Sequence, residues 1–92
     1  MKHQYISRGV RKAEIQRHLE QTDATFSTYE LARIAGMSYS AHFRKIVLEL
    51  WQEGRIAGCE ARKPNGMKVW YWWNVNRPNY DQQTVLELDY AS

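Results

Sequence analysis

Four aromatic residues stand in succession at Trp70-Tyr71-Trp72-Trp73, and this run constrains the fold more than any other feature of the chain. It lies between Gly54 and Pro78, where apolar residues recur with a period near two rather than 3.6. Arg55 to Lys63 and Lys68 to Val75 therefore read as two strands of a β-hairpin, joined at Pro64-Asn65-Gly66-Met67. Asn65-Gly66 is expected to supply the two positive-φ residues of a tight turn. Pairing outward from it sets Ile56 opposite Val75, Gly58 opposite Trp73 and Glu60 opposite Tyr71. The other face then pairs Cys59 with Trp72 and Ala61 with Trp70. Because strand side chains alternate, the core claims one pair of rings, either Tyr71 and Trp73 or Trp70 and Trp72. The other pair stays exposed unless the C-terminal segment or a second subunit covers it.

The apolar surface that these strands cover comes from three helices upstream. From Ser7 to Gln21, Ile15, Leu19 and Thr22 recur at helical spacing and give a first helix with a thin apolar face. A sharper start signal follows at Phe26-Ser27-Thr28-Tyr29-Glu30-Leu31. Ser27 can cap a helix while Glu30 bonds back to the cap, and Phe26 and Leu31 form a hydrophobic staple. Gly36 ends this short second helix. The third helix starts after Ser38 or Ser40 and runs to Glu53, with Gly54 closing it. Phe43, Ile46, Val47 and Leu50 share its core face, and Ala41, His42, Lys45, Glu49 and Gln52 lie opposite, with Arg44 beside them. Leu48 points away from the core stripe.

Beyond Pro78, Thr84-Val85-Leu86-Glu87-Leu88-Asp89-Tyr90 is apolar enough to dock as a strand or as a short helix. The chain thus divides into a domain over residues 1–75 and an acidic-aliphatic tail over residues 76–92, which docks or dimerises. Ninety-two residues suffice for one domain and exclude a multi-domain enzyme. Apolar runs fall far short of the roughly 20 residues that span a bilayer, so no membrane association is expected. No apolar stretch follows the charged N-terminus, so no signal peptide is expected. The lone cysteine, Cys59, can form neither an internal disulfide nor a four-cysteine zinc site, and the expected compartment is the cytoplasm.

Charge is unevenly distributed. Residues 1–75 hold 12 basic and 7 acidic side chains, a net of +5, whereas residues 76–92 hold one basic and three acidic, a net of −2. A basic body with an acidic tail suits a domain that binds a polyanion.

The capped Ser27-Thr28-Tyr29-Glu30-Leu31-Ala32, the turn Gly36-Met37-Ser38 and the hand-over from Leu50 through Ile56 into a hairpin with a basic tip carry a likeness. Over residues 8–75 the chain resembles the winged-helix family of DNA-binding domains. The resemblance implies an α+β, mostly helical fold: a three-helix winged helix-turn-helix with a C-terminal β-hairpin wing. It also implies that the third helix, about residues 39–53, enters the major groove of double-stranded DNA while the wing tip, residues 62–68, touches phosphate or the minor groove.

On the matching positions, Tyr39, Ser40, His42, Arg44 and Lys45 form the outward face of the third helix. Arg44 and Lys45 can donate to guanine acceptors or phosphates, His42 can donate or accept, and the Ser40 hydroxyl suits a phosphate. Tyr39 equally suits a ring that covers the core. Arg62, Lys63 and Lys68 flank the hairpin tip, a density of cations that phosphate contact requires. A homodimer or partner interface is expected at Leu48, Trp70, Trp72, Leu86 and Leu88.

The expected function is sequence-specific DNA binding by a small stand-alone transcriptional regulator. The alternative is a protein–protein interaction module on the same scaffold, a phage-type accessory or inhibitor protein using exposed wing tryptophans; Glu49, Glu53 and the acidic tail favour it, since like charge repels phosphate. No Ser/His/Asp arrangement, Gly-rich phosphate loop or His-x-x-x-His pair appears, and His3, His18 and His42 are scattered. No catalysis, metal, cofactor or small-molecule ligand is therefore expected.

Overall fold

The computed structural model of the chain describes residues 7–91, with side chains through residue 87. Each of the first three helices is delimited by the residues that cap it. Helix α1, Arg8–Glu20, begins where the Ser7 hydroxyl accepts the Val10 N–H at 3.2 Å. It buries only Ile15 and Leu19, as the thin apolar stripe implies. Helix α2, Thr28–Ile34, starts with the full capping box: Glu30 N–H donates to the Ser27 hydroxyl, and Ser27 N–H donates to the Glu30 carboxylate. Helix α3, Ala41–Gln52, is capped by Ser40, whose hydroxyl accepts from Phe43 N–H at 3.1 Å. Of the two expected caps the chain uses Ser40, so Tyr39 and Ser40 precede the helix and the range of about 39–53 that the resemblance implied is trimmed at its start.

Helices α2 and α3 end alike. After each, a glycine takes a positive φ (Gly36 at 66°, Gly54 at 74°) and the next residue's N–H returns to a carbonyl five residues back, Met37 to Ala32 and Arg55 to Leu50. This is the left-handed helix stop that glycine adopts without steric penalty.

Strand β1, Phe26–Ser27, β2, Ala57–Arg62, and β3, Lys68–Trp73, form an antiparallel sheet in the order β1-β3-β2. The two residues of β1, read from sequence only as a staple and a cap, also pair with Trp72 and Tyr71. The hairpin register is one residue away from the expected one. Ala57 pairs with Trp73, Gly58 with Trp72, Cys59 with Tyr71, Glu60 with Trp70, Ala61 with Val69 and Arg62 with Lys68. The turn is the reason. Among the described residues no residue but glycine has a positive φ, so Asn65 does not adopt the conformation that a two-residue turn needs. Instead Lys63 N–H donates to Met67 O and Gly66 N–H to Lys63 O, both at 2.8 Å, enclosing the three-residue loop Pro64-Asn65-Gly66 with only Gly66 at a positive φ of 87°. Proline's fixed φ favours this loop, and its extra residue shifts every pair downstream.

That shift decides what faces what. Trp72 lies flat against Gly58, where a Cβ would stand 2.3 Å from the indole ring. Trp72 then joins Ile15, Leu19, Leu31, Phe43, Ile46, Val47, Leu50 and Ile56 in the main core, its N–H donating to the Thr28 hydroxyl at 2.8 Å. Trp70 stacks on Trp72 at 5.0 Å and meets the edge of Trp51 at 5.2 Å. On the opposite face Ala57, Ala61, Tyr71 and Trp73 make a second core with Val85. Val85 belongs to α4, Gln82–Ala91, so the tail docks as a helix and not as a strand. The Asp81 carboxylate accepts Thr84 N–H at its start, and Gln82 accepts the Arg62 N–H, which lies on the sheet's β2 edge.

Both faces of the aromatic strand are thus covered within one chain. The expectation that Trp72 stays exposed as a partner contact is corrected: it is 1% exposed, as is Trp73. Trp70 is half-buried, and Leu48 and Leu86 are half-buried against the first and second cores. The Leu88 side chain and His3 lie outside the described residues. Among the described residues no helix is long and apolar enough to cross a membrane.

Candidate nucleic-acid interface

Cations of this chain fall into two groups that differ in what they face. Arg8 and Lys12 of α1 reach Glu49 on α3 at 3.4 and 3.2 Å, and Lys12 reaches Glu53 at 2.6 Å. Arg17 pairs with Glu14, Arg55 with Glu53 and Arg77 with Asp23. These contacts shift ionisation in the direction of the charged pair: the hydrogen bond to Glu53 raises Lys12, and that from Lys12 lowers Glu53 below the usual carboxylate range. The acids on α3 are therefore spoken for, and Glu49 and Glu53 present neutralised charge.

The second group has no carboxylate within reach among the described residues. It comprises Arg44 and Lys45 on α3, Arg62, Lys63 and Lys68 on the hairpin, and Arg11 and Arg33 elsewhere. Arg62 and Lys68 are direct cross-strand partners, and like charges so opposed disfavour the strand pair unless an anion lies between them.

Helix α3 and the hairpin tip enclose a groove of about 400 Å³. Tyr39 and Arg44 line one wall, Lys63, Met67 and Lys68 the other, with Tyr29 at its α2 end and Trp70 on its floor. No carboxylate lines it. Trp70 also meets the edge of the Trp51 ring on α3. The Arg44 guanidinium lies over the Tyr39 ring at 5.7 Å, which limits the wandering of a long exposed side chain. Tyr39, 48% exposed, is thus a groove-wall ring and not a core cover.

Of the residues singled out from sequence for DNA contact, Tyr39, Arg44, Lys63 and Lys68 meet in this groove, and Trp70, expected instead at a partner interface, lines it too. Ser40, His42, Lys45 and Arg62 are exposed but do not line it. The Ser40 hydroxyl is already engaged as the helix cap. Tyr29 and Met67 line the groove without having been singled out; Tyr29, at an exposed position beside the capping box, carried the clearer signal. Cys59 is half-buried, and burial followed by the nearby Asp81 charge pushes its thiol up, away from nucleophilic use. No group of three metal-ligating side chains occurs among the described residues. Comparison with family models, with curated proteins and with solved structures finds no match to the chain.

Proposed function

We propose that this chain is a DNA-binding domain of winged-helix type that grips duplex DNA between α3 and the hairpin, and that it acts as a small transcriptional regulator. The parts that the resemblance calls for support the fold: three helices, a tight turn between the second and third, and a hairpin whose tip is basic. The observation that carries the function is the acid-free groove, where Arg44, Lys63 and Lys68 converge although every acid on α3 is matched by a cation from α1 or from Arg55. In this reading α3 is directed at base edges and the hairpin tip at the adjoining phosphates. The protein-partner alternative rested on exposed wing tryptophans, and the burial of Trp72 and Trp73 removes most of that surface.

The test is binding to a random-sequence DNA duplex, titrated from low to physiological salt, beside the Lys63→Glu/Lys68→Glu variant. Salt-sensitive binding that the variant loses is the expected result. Absence of binding at low salt, or equal binding by the variant, would overturn the proposal.

A further inference from the structure

Strand β3 is the middle strand of the sheet over only half of its length. On one side β2 pairs with it from Lys68 to Trp73. On the other side β1 pairs with Trp72 and Tyr71 alone, because the chain turns into α2 at Thr28. Lys68, Val69 and Trp70 therefore have no strand beside them on the α2 side. The bond from Lys63 N–H to Met67 O fixes which backbone groups point there. Bonded and non-bonded pairs alternate along an antiparallel ladder, so Arg62–Lys68 and Glu60–Trp70 are non-bonded pairs whose backbone groups turn away from each other. The Arg62 N–H agrees, since it leaves the ladder for Gln82 on the far edge. The backbone groups of Lys68 and Trp70 turn the opposite way, toward the groove. Val69 lines that groove although its side chain packs in the second core on the other face, so what Val69 presents there is backbone.

We infer that this open edge of β3 is a docking site for an extended acidic segment of another protein, which adds as a short antiparallel strand in line with β1. The edge offers both N–H and C=O groups, a pattern that a peptide completes and a row of phosphates does not, since a phosphodiester has no donor for a carbonyl. Charge selects the sequence. Side chains of an added strand alternate between the faces of the sheet, and every second one shares the face of Lys68 and Trp70. Those side chains enter the groove that Arg44, Lys63 and Lys68 line and no carboxylate does. Acidic residues at alternate positions fit it. The same cations exclude a second copy of this chain, whose edge would bring Lys68 against Lys68. The edge is independent of the DNA-binding proposal. Only the consequence rests on it: peptide and duplex need the same three cations, so each displaces the other.

The experiment measures binding of the peptide acetyl-Glu-Val-Glu-Val-Glu-Val-amide to the intact chain by titration calorimetry at low salt. Two further peptides carry N-methyl groups on either the glutamate or the valine amides, which keeps the charge and removes alternate N–H donors. Only one alternate set faces β3 in an added strand, so one methylated peptide is expected to lose about tenfold or more in affinity and the other to bind as the parent peptide does. On the protein side, Lys68→Gln and Lys68→Pro both remove the charge. Only the second removes the edge N–H, at a position where the β2 ladder does not use it. Lys68→Pro is expected to bind the peptide about fivefold more weakly than Lys68→Gln, one hydrogen bond's worth, and the two to bind duplex alike. Circular dichroism checks that both fold; if Lys68→Pro does not, the methylated peptides decide on the intact chain. Equal effects of the two methylations, or equal peptide affinity in two folded Lys68 variants, would reduce the contact to charge and overturn the inference. Binding of duplex but not of peptide would overturn it and leave the DNA-binding proposal standing. Binding of peptide with the expected asymmetry, but not of duplex, would keep the edge and remove the DNA-binding proposal.

Discussion

Gly58 shows how much one residue can fix. A Cβ there would stand 2.3 Å from a ring atom of Trp72 and 2.9 Å from the Tyr71 carbonyl oxygen, contacts that neither a buried indole nor a backbone in the sheet can relieve cheaply. Gly58→Ala is therefore expected to destabilise the fold by about 1–3 kcal/mol, the usual range for overpacking a tight core, read as a lowered midpoint in urea. A midpoint equal to that of the parent would mean that Trp72 can tilt away and that the register has slack. Arg44 works in the other direction, since its side chain is exposed and its loss should spare stability. If its guanidinium reads a base edge, Arg44→Ala costs about 1–3 kcal/mol of binding to a cognate duplex and relaxes preference at one position. Uniform weakening across sequences would instead assign it to phosphate.

Among the elements, α1 and α3 are joined by a thin strip of Ile15 and Leu19 together with the ion pairs from Arg8 and Lys12 to Glu49 and Glu53. Because Glu53 titrates lower in the folded chain than in the unfolded one, its contribution is present above the unfolded value of about 4.3 and is lost as pH falls through the folded value. Lys12 is raised, so its contribution holds below about 10.4 and is lost as pH rises through the folded value. Lys12→Met is thus expected to lower the melting temperature at neutral pH and to converge with the parent chain in acid; a gap independent of pH would mean that the lysine stem packs and its charge is idle. The helix ends were legible because Ser27-x-x-Glu30, Gly36 and Gly54 act through their nearest neighbours in sequence. Ser40 was one of two candidate caps, and only the backbone decides between it and Ser38. The register was not legible. It turns on whether Asn65 accepts a positive φ beside Pro64, and a change of one residue there exchanges the faces of Trp70, Tyr71, Trp72 and Trp73. The tail allowed a strand or a helix because its fate depended on an apolar sheet face that forms only once that register is set.

Over the whole molecule, what distinguishes the proposed binding surface is the company its cations keep. A net charge of +3 says little, since paired and unpaired lysines count equally in it. This also explains why the groove was only partly readable: Lys63 and Lys68 stand out at a hairpin tip in any sequence, but Glu49 and Glu53 looked like repulsive charges until α1 supplied their partners. The distinction has a measurable consequence. Each phosphate neutralised adds about 0.9 to the slope of log affinity against log salt, so the three groove cations, Arg44, Lys63 and Lys68, should give a slope of at least about −2.7. Between 50 and 200 mM salt that amounts to a loss of roughly 40-fold in affinity. Lys63→Ala should flatten the slope by about 0.9, whereas Lys12→Met, which removes the same unit of charge from a pair with Glu49 and Glu53, should leave it in place. Equal flattening by both would mean that the duplex responds to the overall charge of the protein, and the groove would lose its claim to be the binding surface.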